Sequence, residues 1–285
     1  RRSGPGDGAE PGPRRNLTMS YFGFLLRFVV IPILLLGALA WWDRRQGRAL
    51  PESLRGVRPW IPLAAMVGIA LLYTTPWDNY LVATKVWWYD PALVTGITLG
   101  WVPIEEYTFF VLQPLLSGLW LLWLARRVRA RPAMTPRPGL RWGAVAAVGL
   151  VWAASAIILI DGWLPGNYLA LELVWALPPI ALQLAVGADI LWHYRRLVAA
   201  AIVSATLYLA ATDALAIHSG TWTINPERSL GLLIGGVLPV EELLFFFLTN
   251  TLLVFGTTLA LAQETAGRLA VAQRRWLRAP VSLFK

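Results

Sequence analysis

The sequence predicts an all-α integral membrane protein of seven transmembrane helices, built from two parallel three-helix repeats plus a linker helix. Three observations point there. Hydrophobic residues make up 57% of the 285-residue chain and charged residues 14%, against about 25% charge in soluble domains, and the mean hydropathy is +0.56. Seven apolar stretches are each long enough to cross a hydrocarbon core of about 30 Å. Finally, the chain matches itself, with one Pro-x-Glu-Glu-x-x-Phe-Phe element in each half.

In chain order, residues 1–18 are rich in Gly, Pro and Arg and read as a disordered leader, either an upstream extension or non-native, with Met19 as the natural start. No small-residue cleavage site follows a short apolar core, so the leader is not a secretory signal. The spans fall at 20–42, 59–75 (running on toward 81), 103–125, 139–160, 168–191, 197–217 and 239–262. The resulting division is 19–131 for the first three-helix repeat, 132–165 for the linker with the fourth span, 166–265 for the second repeat and 266–285 for a basic tail.

The net charge of +9 is a topology signal. Arg44, Arg45, Arg48, Arg55 and Arg58 follow the first span, and Arg126, Arg127, Arg129, Arg131, Arg137 and Arg141 follow the third. Arg195 and Arg196 follow the fifth, and the tail holds Arg268, Arg274, Arg275, Arg278 and Lys285. The alternate connections hold only Lys85, no basic residue, and Arg228. Every second connection is basic, which places the N-terminus outside and the C-terminus in the cytoplasm of a multi-pass cell-membrane protein. Nucleic-acid binding is not expected, because these loops lack a recognition fold and interleaved aromatics. Trp41, Trp42, Trp60 and Trp163 read as interfacial belt residues.

The repeat is in register. Pro103 pairs with Pro239, Glu105 with Glu241, Glu106 with Glu242, and Phe109-Phe110 with Phe245-Phe246, at an offset of 136 residues. Upstream the offset is 135, pairing Asp78 with Asp213, Trp87 with Trp222 and Pro91 with Pro226. Three spans alone would invert the second half. The fourth crossing restores its direction, giving parallel repeats about an axis along the membrane normal, with both diglutamates at one face.

A proline at a helix start followed by acidic first-turn residues can be simple capping. Yet these glutamates and Glu172 sit in or beside apolar segments, where a carboxylate costs several kcal/mol unless paired or protonated. A carboxyl among apolar groups, beside a second carboxyl, is a proton donor. Glu105 and Phe109, and Glu106 and Phe110, are i, i+4 neighbours, so each acid shares a helix face with a ring whose π-face can stabilise a developing cation.

These half-motifs, with Tyr73-Thr74-Thr75-Pro76-Trp77-Asp78-Asn79-Tyr80 and Trp87-Trp88-Tyr89, resemble the integral-membrane, non-flavin lycopene cyclases, which occur as two small subunits or one fused chain. The likeness runs from Met19 to about residue 265. It implies carotenoid end-ring formation without net redox change, with lycopene or a related acyclic carotenoid as substrate, membrane lipid around it and other carotenoid enzymes as potential partners. Within the resemblance, Glu105 and Glu241, or their neighbours Glu106 and Glu242, donate the proton, and Asp78 and Asp213 relay or accept protons. Trp87, Trp88, Trp101, Tyr107, Phe109, Phe110, Trp222, Phe245 and Phe246 are the candidate substrate contacts, and Pro103 and Pro239 shape the motif. Tyr107 and Thr108 are replaced by Leu243 and Leu244 in the second copy, so the halves are not equivalent. β-Rings on lycopene are the first reading, with ε- or γ-rings or fifty-carbon substrates as the alternatives.

Other classes fit less well. Flavin-dependent cyclisation would need a dinucleotide fingerprint after a strand, which the sequence lacks, so no cofactor is implied. A retinal protein needs a lysine inside its last helix, and only Lys85 and Lys285 exist. A diglutamate membrane protease would need Arg where Phe110 stands, and more histidines than His193 and His218. The chain has zero cysteines, excluding thiolate chemistry and cysteine metal sites, and no metal is expected. Magnesium-dependent prenyl transfer would need a paired aspartate motif that is absent. A proton-coupled transporter, which also uses repeats and intramembrane carboxylates, is the alternative from another class.

Overall fold

A computed structural model describes residues 19–128, 134–268 and 270. The expected leader over 1–18, and residues 271–285 of the tail, lie outside the described residues. The fold is that of an all-α membrane protein. Among the described residues, seven helices are long and apolar enough to cross a membrane: α1 Tyr21–Arg45, α2 Trp60–Ala83, α3 Ile104–Ala125, α4 Pro138–Asp161, α5 Asn167–His193, α6 Arg195–His218 and α7 Val240–Leu261. Each overlaps the span expected for it. The second is longer than its apolar core suggests, because α2 continues through Pro76 and ends at Ala83. Asp78 is therefore a helical residue, buried at 1% exposure.

Local sequence explains the boundaries. Pro103 and Pro239 stand before α3 and α7 in extended conformation, with Glu105–Glu106 and Glu241–Glu242 in the first turns. There a proline's missing N–H leaves no bond unmade and the helix dipole favours acidic side chains. α4 stops at Gly162, whose φ of 75° only glycine adopts without strain. Helices α3 and α7 form the most buried pair of spans. α4 packs chiefly on α5, and Ser155 is its single buried residue among those described.

The connections that the sequence left as loops contain six short strands. β1 Trp87–Tyr89 pairs antiparallel with β4 Trp222–Ile224, placing Trp87 opposite Ile224 and Tyr89 opposite Trp222. The ribbon is extended by bonds from Asn225 N–H to Val86 C=O and from Asp90 N–H to Thr221 C=O. β2 Thr98–Leu99 pairs with β3 Val102–Pro103, and β5 Leu233–Ile234 with β6 Leu238–Pro239. Each of these hairpins leads straight into a diglutamate helix. At the opposite ends of the helices, buried Asp43 binds Arg127 at 3.0 Å and Arg48 at 3.3 Å, and buried Asp189 binds Arg268 at 2.8 Å. Three of the basic segments are thereby fastened to the helix bundle.

Candidate active site

The diglutamates divide into two kinds of residue. Glu105 Oε1 accepts the backbone N–H of Thr95 at 2.6 Å, and Glu241 Oε1 accepts that of Leu230 at 2.6 Å. Each binds the loop that precedes its own hairpin. A net intramolecular hydrogen bond contributes about 0.5–1.5 kcal/mol, so these two glutamates hold their loops against the helix start.

The second glutamates turn inward. Glu106 and Glu242 line one cavity together with Asp78 and Asp213, at the converging ends of α2, α3, α6 and α7. All four are buried, Glu106 the least at 9% exposure. The rest of the wall combines apolar side chains, Phe24, Trp77, Trp87, Phe109, Phe110, Leu209, Trp222, Ile224, Phe245 and Phe246, with the hydroxyl-bearing Tyr21, Tyr89, Tyr168 and Thr212. Its free volume is about 50 Å³, far below the roughly 300–1,000 Å³ of small-molecule cavities. An end group of any size enters only if rings move.

Tyrosines hold the inner glutamates. Glu106 Oε2 accepts the phenol of Tyr21 at 2.5 Å and that of Tyr89 at 3.0 Å, while Glu242 Oε1 accepts Tyr168 at 2.7 Å. Burial above all pushes the Tyr89 phenol well above its ordinary value, so it stays a proton-bearing donor. Asp213 accepts the indole N–H of Trp222 at 3.0 Å. Asp78 receives no hydrogen bond on either oxygen, and neither does the buried Glu172 on α5, one turn beyond Tyr168. Glu172 is not part of the cavity wall.

Among the residues singled out from the sequence, Asp78, Asp213, Glu106, Glu242, Trp87, Trp222, Phe109, Phe110, Phe245 and Phe246 share this cavity. Three candidate contacts lie elsewhere. Trp88 is 37% and Trp101 66% exposed. Tyr107 donates to Leu99 C=O and accepts from Asn79, fixing the first hairpin to α2. Alternation in β1 sends Trp87 inward and Trp88 outward.

Sequence reasoning missed Tyr21 and Tyr168. The signal exists at an offset of 147 residues, which the 135–136 alignment of the later helices skips. Tyr89 stood in a quoted motif without a role.

Comparison with known proteins gives consistent results. A family model described as lycopene cyclase matches residues 52–124 and 167–260. A protein named lycopene beta-cyclase from Halobacterium salinarum is 39% identical over 245 residues, covering 85% of this chain and 96% of its own. Proteins named bifunctional lycopene cyclase/phytoene synthase from Gibberella fujikuroi and Phaeosphaeria nodorum are 33% and 36% identical, and the match covers 34% of each. The chain thus spans about a third of those fungal relatives. No solved structure matches. On the family model and the extent of the archaeal match, this chain belongs to the lycopene cyclase family.

Proposed function

We propose that this protein cyclises the ends of lycopene to β-ionone rings inside the membrane, without net redox change, as an intramolecular lyase of the isomerase type in carotenoid biosynthesis. The observation that supports the reading most is the single cavity in which four carboxyls face aromatic rings and little else. A carboxyl so surrounded keeps a proton to give, and rings without basic groups let a carbocation live long enough to close. The name of the Halobacterium relative supports lycopene as substrate and β as the ring.

In the proposed reaction, a cavity carboxyl transfers its proton to C2 of the terminal isoprene unit, leaving a cation at C1. The C5–C6 π electrons form the C1–C6 bond and move the cation to C5. Loss of the C6 proton to a carboxylate then re-forms the C5–C6 double bond. Asp78, with neither oxygen hydrogen-bonded, is the acid best placed to give a proton outward. Glu106, which accepts two phenols, suits the carboxylate that takes one, since donated hydrogen bonds favour the charged form. Asp213 and Glu242 form the corresponding pair of the second half.

We further propose two parallel three-helix halves over 19–131 and 166–265, joined by the linker of 132–165. Matching contacts support this, including Glu105 to Thr95 against Glu241 to Leu230 and Tyr21 to Glu106 against Tyr168 to Glu242. The alternation of basic connections supports an outward N-terminus and a cytoplasmic C-terminus in the cell membrane. The acid cavity then lies toward the outer face, with lipid around it and the other carotenoid enzymes as suppliers of lycopene.

Expression of the full chain in a lycopene-accumulating bacterial host, with extraction and chromatography against acyclic, monocyclic and bicyclic standards, tests the function. A β-ring product is expected. Unchanged lycopene, with the protein in the membrane, would refute the substrate assignment and turn attention to a fifty-carbon carotenoid or to proton-coupled transport.

A further inference from the structure

Two apolar cavities flank the acid cavity, and nothing in the mechanism above uses them. One, of about 280 Å³, lies between α1, α3 and α6; the other, of about 300 Å³, lies between α2, α3, α5 and α7. Their walls correspond residue by residue. Pro32 and Leu35 match Pro179 and Leu182 at the 147-residue offset, Ala205 and Tyr208 match Ala70 and Tyr73 at 135, and Leu116 matches Leu252 at 136. Even the rim bonds match: Tyr208 donates to Phe28 C=O at 2.9 Å and Tyr73 to Trp175 C=O at 2.8 Å. Both mouths open on the lipid-facing side, where Leu35 is 60% and Leu182 67% exposed.

The two cavities differ in their connection to the acids. The first shares one wall residue, Leu209, with the acid cavity. It is also crossed by Trp120, whose indole N–H binds Ser204 at 2.7 Å. The second shares three rings, Phe109, Phe110 and Phe245, with the acid cavity. Gly256 stands where Trp120's counterpart would be, and a Cβ there would meet the sulfur of Met66, itself a wall residue, at 2.9 Å. The two pseudo-equivalent chambers are therefore of similar volume, but one is walled by an indole and meets the acid cavity at Leu209 alone, whereas the other meets it through three aromatic rings.

We propose that the chamber between α2, α3, α5 and α7 is the binding site for the polyene chain behind the reacting end group, loaded sideways from the bilayer. Phe109, Phe110 and Phe245 are the movable partition that admits the end group to the acids. A volume of about 300 Å³ takes the stretch of chain next to the end, and the remainder lies along the exposed apolar helix faces. A second ring then requires the product to withdraw and re-enter by its other end. This inference rests on the carotenoid substrate proposed above.

The test uses the full chain in lipid vesicles loaded with lycopene, comparing the unmodified protein, Ala70→Phe in the proposed chamber and Ala205→Phe at the matching position of the other. Ala70→Phe is expected to lower kcat/KM at least tenfold, chiefly through KM, while Ala205→Phe stays within threefold. Should Ala70→Phe fail to insert, Thr249→Leu on α7 narrows the same chamber. A photoreactive residue at position 252 is expected to form adducts of carotenoid mass, and one at position 116 is not. Equal losses from both fillings, or carotenoid adducts only at 116, would overturn the assignment. No ring from the unmodified chain would instead refute the proposed function and is read separately.

Discussion

The acids around the first Pro-x-Glu-Glu element and those around the second are held differently. In the first half Glu106 accepts two phenols and Asp78 none of the available donors; in the second Glu242 accepts one phenol and Asp213 is tied to Trp222. One difference comes from a residue change, the other does not, since Trp87 corresponds to Trp222 yet leaves Asp78 unbonded. Ile224 occupies the place corresponding to Tyr89, and Glu172 the place corresponding to Leu25. Backbone placement is retained wherever loops and helix starts depend on it, as in the matching bonds of Glu105 and Glu241. The hydrogen bonds to the inner acids vary, as do Tyr107 against Leu243 and Trp120 against Gly256. Duplicated folds can in this way keep one architecture while separating the duties of two chemically similar centres.

The largest expected effect separates inner from outer glutamates. Glu106→Gln and Glu242→Gln each remove a carboxyl from the cavity, and a lost acid or base costs about 10²–10⁴ in rate. Measured lycopene turnover should fall by at least about a hundredfold in the pair of variants taken together. Glu105→Gln keeps an acceptor for Thr95 and should stay within about tenfold of the unmodified chain, its bond being weakened by only a kcal/mol or so. Equal losses at 105 and 106 would erase the distinction.

Next come the aspartates. Asp78→Asn should lower turnover by an order of magnitude or more, whereas Trp222→Phe, which only frees Asp213 from its donor, should cost a few-fold, about 1 kcal/mol. The tyrosines sharpen the comparison further. Tyr168→Phe leaves Glu242 with no phenol, but Tyr21→Phe leaves Glu106 with Tyr89. Tyr168→Phe should therefore be the more damaging single change, and adding Tyr89→Phe to Tyr21→Phe should close the gap in a kinetic comparison. The smallest effect is expected at Glu172. Its two oxygens are buried without a partner, so Glu172→Leu, which copies Leu25, should raise the thermal midpoint in detergent by the equivalent of about 1–3 kcal/mol. A lowered midpoint would show that Glu172 has a stabilising partner in the native protein.

Much of this arrangement was legible in the sequence. Seven apolar runs of about twenty residues point to helices, because a segment of that length satisfies its own backbone in hydrocarbon only as a helix, and the repeated Pro-x-Glu-Glu points to the acids. The choice between Glu105 and Glu106 was not legible. Both occupy the first helical turn, and only the path of the preceding hairpin decides which one meets a loop N–H. The β1–β4 ribbon was hidden for a similar reason: three-residue strands have too few alternations to show a period of two. The resemblance places Trp88 and Trp101 with Trp87 among the substrate contacts, and side-chain alternation and exposure separate them from it.

The most direct experiment is cyclisation of lycopene by the full chain in deuterated water, with the product's mass and deuterium position read by mass spectrometry and NMR. Protonation at C2 by a solvent-exchanging carboxyl predicts one deuterium per ring, at C2, with both incorporation and ring formation lost together in the Asp78→Asn, Asp213→Asn double variant. Rings formed without deuterium, or formed unchanged by that variant, would contradict a reaction started by the acids of this cavity.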